Sequence, residues 1–332
     1  MTSSIMAREA AEAPNIIAQQ LQHNAEICQQ LAVKIKTFNP SLVYIVGRGS
    51  SDHAGVFAKY LIEVELGIPV SSSAPSVNSI FKQNLKLNNA LVLIISQSGR
   101  SHDILAQARS AKESGALTVA LVNDTTSPLA ELADVVLPLL AGQELAVAAT
   151  KSYLATLSAI LQLVAYWKDD TELKQALTAL PAALAQVVQQ APQLSTEFVA
   201  SLAHCVVLGR GFGYAISREI ALKLKEVCAV HAEAFSSAEF LHGPVTLVEK
   251  HLAVVDVFVA DETTEAHNSM IKDVGRRGAH LIQLSADIAG LHRRCMPLAI
   301  LQRFYLDVEQ IALNMGFDPD KPVGLKKVTQ TL

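Results

Sequence analysis

The sequence predicts an α/β protein of two tandem domains, each a parallel sheet flanked by helices on both faces. Three observations carry this. Short β-branched runs alternate with longer helical patterns along the 332 residues. The strand runs are nearly continuous apolar stretches, as strands covered on both faces must be. The run Val43-Tyr44-Ile45-Val46-Gly47-Arg48-Gly49 also returns, a domain-sized interval later, as Cys205-Val206-Val207-Leu208-Gly209-Arg210-Gly211. Each is an apolar strand ending in GRG before a small turn and a helix, the mark of a duplicated α/β unit.

In chain order, an amphipathic helix is expected over Ile16–Thr37 within an N-terminal segment at 1–40. A first domain at 41–170 takes strands Leu42–Val46, Leu91–Ile95, Leu117–Val122 and Val135–Leu137, with helices Ser51–Leu66, Ser101–Glu113 and Lys151–Lys168. Residues 171–200 are rich in Ala, Leu and Gln, with Pro181 and Pro192 as their prolines, so they predict a helical connector and not a flexible linker. The second domain with its tail, at 201–332, takes strands Cys205–Leu208, Val254–Val259 and His280–Leu284, and helices Ala215–Val230 and Thr263–Arg277.

Half of the residues are apolar and 17% are charged, enough for two ordinary cores. A formal charge of −4 gives no general attraction to nucleic acid or an anionic membrane, so neither is expected as a partner. An anionic ligand must instead find a local, donor-rich pocket. The four cysteines, Cys28, Cys205, Cys228 and Cys295, are widely spaced without a CxxC pair and read as idle thiols in a reducing compartment. Met1 to Glu12 shows no apolar signal core. The longest apolar runs, such as Ala90–Ile95 and Leu252–Val255, fall far short of the ~18 residues that span a bilayer. The expectation is a soluble cytoplasmic protein.

Ser96-Gln97-Ser98-Gly99-Arg100-Ser101 follows one apolar strand and precedes a helix. Serine hydroxyls, N–H groups opened by Gly99 and a helix N-terminus all suit a phosphate dianion. In open α/β sheets ligands lie at the carboxyl ends of strands, where this loop sits. A single serine here would read as a helix cap; three hydroxyls with Gln and Gly in six residues favour the anion site. Gly47-Arg48-Gly49-Ser50-Ser51 offers a second hydroxyl-bearing turn. Neither this turn nor Gly209-Arg210-Gly211-Phe212-Gly213 matches GxGxxG, and no Walker Lys-Ser/Thr follows, so a nucleotide site is not expected.

The densest acid–base cluster runs from Lys223-Leu224-Lys225-Glu226 through His231, Glu233 and Glu239 to His242-Gly243-Pro244. Lys223 and Glu226 lie three apart on one helix and share a face. Alone, such a pair reads as a surface ion pair. His242 precedes Gly-Pro, so it sits in a turn, where an imidazole can exchange protons near neutral pH. His231-x-Glu233 lacks an HExxH frame or a third ligand nearby, so no metal is expected.

Together these stretches resemble the isomerase half of glucosamine-6-phosphate synthase and its stand-alone sugar-isomerase (SIS) relatives. The resemblance runs from about residue 40 onward and is carried by Ser96-Gln97-Ser98-Gly99, by Glu144 through Val147-Ala148-Ala149-Thr150-Lys151, and most specifically by Ala221-Leu222-Lys223-Leu224-Lys225-Glu226, His231-Ala232-Glu233-Ala234 and Glu239-Phe240-Leu241-His242-Gly243-Pro244. It implies two SIS domains and a phosphosugar substrate. Ser96, Gln97, Ser98 and Ser101 would grip the phosphate, with Ser50 in the matching place after the first GRG turn and Val147 among the substrate contacts. Glu226 would move a proton between C2 and C1, with Lys223 beside it. His242 would open the pyranose ring, and Lys327 in the tail would close over the sugar. No redox cofactor or metal is implied. A homodimer is, with the ring-opening histidine donated across the subunit interface.

The chain departs from the synthase in two places. It begins Met1-Thr2-Ser3-Ser4, with about 40 residues before its first strand and no glutaminase domain with a leading cysteine. The expected direction is therefore ammonia release, as in the SIS-type glucosamine-6-phosphate deaminases. Gly324-Leu325-Lys326-Lys327-Val328 replaces an N-L-A-K-S tail, which leaves Lys326 as an alternative to Lys327. Competing readings are a deglycase for 6-phosphorylated fructosamines, a galactosamine-6-phosphate deaminase, an aldose–ketose isomerase, and a non-catalytic sugar-phosphate sensor. The sensor is disfavoured because no basic recognition helix is evident.

Overall fold

The computed structural model describes residues 3–327; residues 1–2 and 328–332, at the ends of the expected N-terminal segment and tail, lie outside the described part. The chain divides into two units. One is formed by Asn15–Glu144 and Lys151–Thr178, the other by the described residues up to Pro14 with Leu145–Thr150 and Ala179–Lys327.

In chain order the elements of the first unit are α1 (Ile5–Phe38, entering it at Asn15), β1 (Leu42–Val46), α2 (Ser50–Leu66), β2 (Val70–Ser72), α3 (Pro75–Ser79), β3 (Ala90–Ser96), α4 (His102–Glu113), β4 (Leu117–Val122), α5 (Pro128–Leu132), β5 (Val135–Pro138) and α6 (Lys151–Lys168). Its five strands pair in parallel in the order β2-β1-β3-β4-β5. Central β3 is buried at every position, and each of its Leu, Val and Ile side chains contributes about 1.5–3 kcal/mol of burial. Buried amides finish the exposed backbone beside β5. Gln20 Nε2 donates to the carbonyls of Leu139 and Ala155 at 2.9 Å, and Asn24 Nδ2 to that of Pro138 at 2.9 Å.

Helix α7 (Thr171–Val188) enters the second unit at Ala179. There follow α8 (Thr196–Ala200), β6 (His204–Gly209), α9 (Phe212–Cys228), β7 (His231–Ser236), α10 (Ser237–Phe240), a 3-10 turn at Pro244–Lys250, β8 (Ala253–Val257), α11 (Thr264–Arg276), β9 (His280–Leu284) and α12 (Met296–Asn314). The sheet is parallel, in the order β7-β6-β8-β9. The repeated GRG turns serve the same purpose in each unit: Gly49 (φ 55°) starts α2 and Gly211 (φ 53°) starts α9, a backbone that disfavours side chains with a Cβ.

A buried polar chain ties this second layer together. His267 of α11 has Nε2 2.6 Å from Asp256 Oδ1 of β8 and Nδ1 3.0 Å from Ser237 Oγ of α10. Gln283 of β9 donates to the other Asp256 oxygen at 2.7 Å. All four elements are thereby fixed in register, since a buried partner left unmatched costs about 1–3 kcal/mol.

The strands expected at Leu42–Val46, Leu117–Val122 and His280–Leu284 have those bounds, and the others move by one or two residues at an end. The N-terminal helix begins at Ile5, well before Ile16, because Met6, Ala10, Ala13 and Ile17 form one buried helical stripe. Helix α12 and the strands β2 and β7 were not expected. Among the described residues no helix is long and apolar enough to cross a membrane.

All four cysteines are buried and unpaired, and burial pushes each thiol up to about 12. They are expected to ignore a soluble disulfide reagent near about pH 8 in the folded protein and to react in full after unfolding. A fast-reacting thiol in the native protein would contradict this burial.

Candidate active site

The Ser96–Ser101 loop of the first unit is built on the end of β3. Strand β1 pairs with β3 in parallel (Val46 with Ile94), so both strands end on the same edge. Their border is also where the strand order reverses, the place where sheets of this kind take ligands. Ser96 Oγ accepts the Gly99 N–H at 3.0 Å, which folds the loop into a tight turn. Gly99 has φ 63°, and a Cβ there would run into the Ser127 side chain, so the turn requires glycine twice over. The Gln97 carbonyl accepts the N–H groups of Asn123 and Asp124, both at 3.3 Å, and staples the loop to the end of β4. Ser98 Oγ accepts the Arg100 N–H at 3.4 Å.

Ser101 does not act as a side-chain cap. It is the N-cap residue of α4, yet its side chain makes no capping bond; only its carbonyl is used, by Leu105 N–H at 3.0 Å. The hydroxyl is thus not spent on capping the helix N-terminus. Arg100 turns aside to Asp124, at 2.8 Å. Hydrogen bonds from Thr126 and then Arg100 pull that carboxyl down to about 2. Ser50 opens α2 on the same edge, just past Gly49.

The Lys223–Glu226 pair belongs to the second unit and stands on α9. Lys223 is fully buried. Its Nζ lies 3.0 Å from Glu219 Oε1 and donates to Glu226 Oε2 at 2.7 Å, the i−4 and i+3 neighbours on one helical face. Tyr305 of α12 donates to Glu219 Oε1 at 3.4 Å. Burial alone would push the ammonium toward neutrality. The two carboxylates and the hydrogen bonds they accept outweigh it, so Lys223 is held above the ordinary lysine value. Within the trio, Glu219 and Lys223 are closed off and Glu226 keeps 21% of its side chain exposed. A fixed cation thus orients a partly exposed carboxylate on α9, an arrangement that can take and return a proton.

Other expected residues lie in this second unit as well. Val147 N–H donates to the Asp320 carbonyl at 3.0 Å, and Lys327 Nζ donates to the Ala146 carbonyl at 2.7 Å, so the tail is folded along 145–150. Of the two tail lysines, Lys327 holds this bond while Lys326 is exposed. His242 sits exposed in the turn after α10; its N–H donates to the Glu239 carbonyl at 3.0 Å, and its ring bonds to none of the described residues. Lys225, from the same KLKE run, serves structure: its Nζ holds the Ala232 carbonyl of β7 at 2.9 Å. Glu219 and Tyr305 went unnoticed in the sequence. A carboxylate four residues before a lysine already flanked by Glu226 was the available signal for the first; nothing local signalled the second. Among the described residues no cluster of His, Cys, Asp and Glu is arranged to hold a metal ion.

The sequence profile of the SIS domain matches residues 25–166 and 200–287, once on each parallel sheet. The chain belongs to the SIS-domain family. A glutamine–fructose-6-phosphate aminotransferase [isomerizing] of Legionella pneumophila (strain Paris) is 37% identical to this SIS protein over 305 residues, covering 86% of the chain and 50% of that enzyme. The SIS chain spans about half the length of the curated relatives it matches. A solved structure from Silicibacter pomeroyi DSS-3, assigned provisionally as a phosphosugar isomerase, superposes with a TM-score of 0.89 at 37% identity, covering 96% of this chain and 100% of its own. A glucosamine-6-phosphate deaminase structure from Thermotoga maritima has a TM-score of 0.77 at 22% identity, covering 99% and 100% of the two chains, and shares the fold.

Proposed function

We propose that this SIS protein converts glucosamine 6-phosphate and water to fructose 6-phosphate and ammonia. The observation that carries the reading is the Glu219–Lys223–Glu226 trio, in which a buried, permanently charged ammonium holds one partly exposed carboxylate at 2.7 Å. The hydroxyl-lined loop Ser96–Ser101, with Ser50 beside it, suits the phosphate end of such a substrate.

In this mechanism His242 exchanges the protons that open the pyranose ring. Glu226 removes the C2 proton of the open aldehyde and returns it to C1, which turns the enolamine into a C2 imine. Water adds to C2 and ammonia leaves. Lys223 holds Glu226 in place for both proton transfers. Val147 and Lys327 border the sugar. The active form is a homodimer in the cytoplasm, with His242 reaching the partner's sugar; its exposed turn, unbonded to Glu226, is compatible with that sharing.

The test is a panel assay of ammonia and fructose 6-phosphate. Glucosamine 6-phosphate, galactosamine 6-phosphate, a 6-phosphorylated fructosamine and glucose 6-phosphate are each offered to the purified protein. One ammonia per fructose 6-phosphate from glucosamine 6-phosphate is the expected result. Interconversion of aldose and ketose phosphates without ammonia would reassign the protein as a plain isomerase, the reading favoured by its 37% identity to the Silicibacter structure.

A further inference from the structure

We propose that Arg48 is a specificity-determining residue of the phosphosugar site, supplying the cation that meets the phosphate group. This rests on the phosphosugar reading above and extends it to a residue outside the serine loop. Arg48 lies in the turn between β1 and α2, two positions before Ser50. Its Nε donates to Asp103 Oδ2 at 2.7 Å. Asp103 stands in the first turn of α4, two positions after Ser101. The guanidinium therefore reaches from one hydroxyl-bearing turn to the start of the helix that follows the other, along the β1/β3 border.

Arg48 is also aimed. Asp103 has only 3% of its side chain exposed, and its other oxygen accepts the Ile104 N–H at 3.0 Å, so the carboxylate cannot turn. It engages Nε alone, and among the described residues the two terminal nitrogens of Arg48 make no hydrogen bond, while 46% of the side chain is open to solvent. A guanidinium held at Nε presents its remaining fork in a fixed direction, the geometry that suits a phosphate. The partner matters in a second way. An unpaired Asp103 in the first turn of α4 would repel a dianion at that helix N-terminus, and Arg48 cancels that charge. In a protein of net charge −4, such a local cation is what an anionic substrate needs.

The second unit supplies an internal comparison. The matching turn holds Arg210, but the loop after β8 presents Asp261 and Glu262 in place of serines. Glu262 is taken by Arg294, whose fork donates to both its oxygens at 2.7 and 2.8 Å and whose guanidinium lies 4.7 Å over the Phe212 ring. That edge is acidic and internally paired. The cationic, hydroxyl-lined edge belongs to the first unit.

The test measures binding, independent of turnover, by calorimetry with inorganic phosphate and with sorbitol 6-phosphate, at low and high salt. Arg48→Ala is expected to weaken both ligands by about 10–100-fold at low salt, the worth of a charge-assisted phosphate contact, with a smaller loss at high salt. Arg48→Lys keeps the charge without the fork and falls in between. Asp103→Asn removes a negative charge and leaves phosphate affinity at or above that of the unaltered protein. Thermal melts confirm that each variant is folded. Wild-type affinity in Arg48→Ala, or a loss in Asp103→Asn as large as in Arg48→Ala, overturns the proposal, the latter because it would make the pair a mere strap. If the unaltered protein binds neither ligand, the phosphosugar reading falls and this proposal with it. If it binds both but releases no ammonia in the panel assay, only the deaminase reaction is refuted.

Discussion

Glu226→Gln is expected to lower turnover of glucosamine 6-phosphate by about 10²–10⁴-fold, the range that one positioned acid–base group supplies. The amide keeps the shape of the carboxylate and can still accept the Lys223 bond, so affinity for the phosphosugar should stay near that of the unaltered protein. The loss then appears in kcat and equally in kcat/KM, the signature of an interaction made only in the transition state. Solvent-exchange measurements at C2 give the sharper check. The variant should no longer wash deuterium into the recovered substrate or product. A variant that turns over normally, or one that fails only through a raised KM, would remove Glu226 from the proton-transfer role.

Lys223→Met is expected to produce a large loss of stability, about 3–5 kcal/mol, because it removes the cation from a fully buried ion pair with Glu219. The sign of the pH dependence follows from linkage. In the unaltered protein Lys223 is held above its ordinary value of 10.5. Its contribution is therefore fully present below that value and is lost only as pH rises through the higher folded-state value. Denaturant melts at several pH values test both statements. A melting curve for Lys223→Met that matches the unaltered protein at neutral pH would mean that Glu219 is not charged in the folded state.

The strands that hold the two sheets together were legible because burial on both faces leaves a continuous apolar run, as in Leu91–Ile95. Edge strands are not written that way. Strand β7 reads His231-Ala232-Glu233, with only Ala232 buried among these three, and β2 is three residues long. Helix α12 escaped for the opposite reason. It is covered on most sides, with Pro297–Tyr305 buried throughout, so no polar face marks its period. In the site, residue types were readable and their burial was not. Lys223-x-x-Glu226 has the pattern of a surface ion pair; whether it is one depends on Tyr305 and the rest of α12, some eighty residues further on. Likewise the sequence could say that Ser101 begins a helix, but not that its hydroxyl makes no capping bond there.

The bonds around Asp320 bear on the stability of this protein. Its carboxylate accepts the N–H groups of Ile5 and Met6, at 2.9 and 2.8 Å, while its carbonyl accepts that of Val147. A few residues later Lys327 grips Ala146, the neighbour of Val147. Leading helix, tail and the 145–150 strip are thus knotted at one residue. Asp320→Ala should therefore loosen the start of α1 and the 145–150 strip at once, read as a single drop in melting temperature.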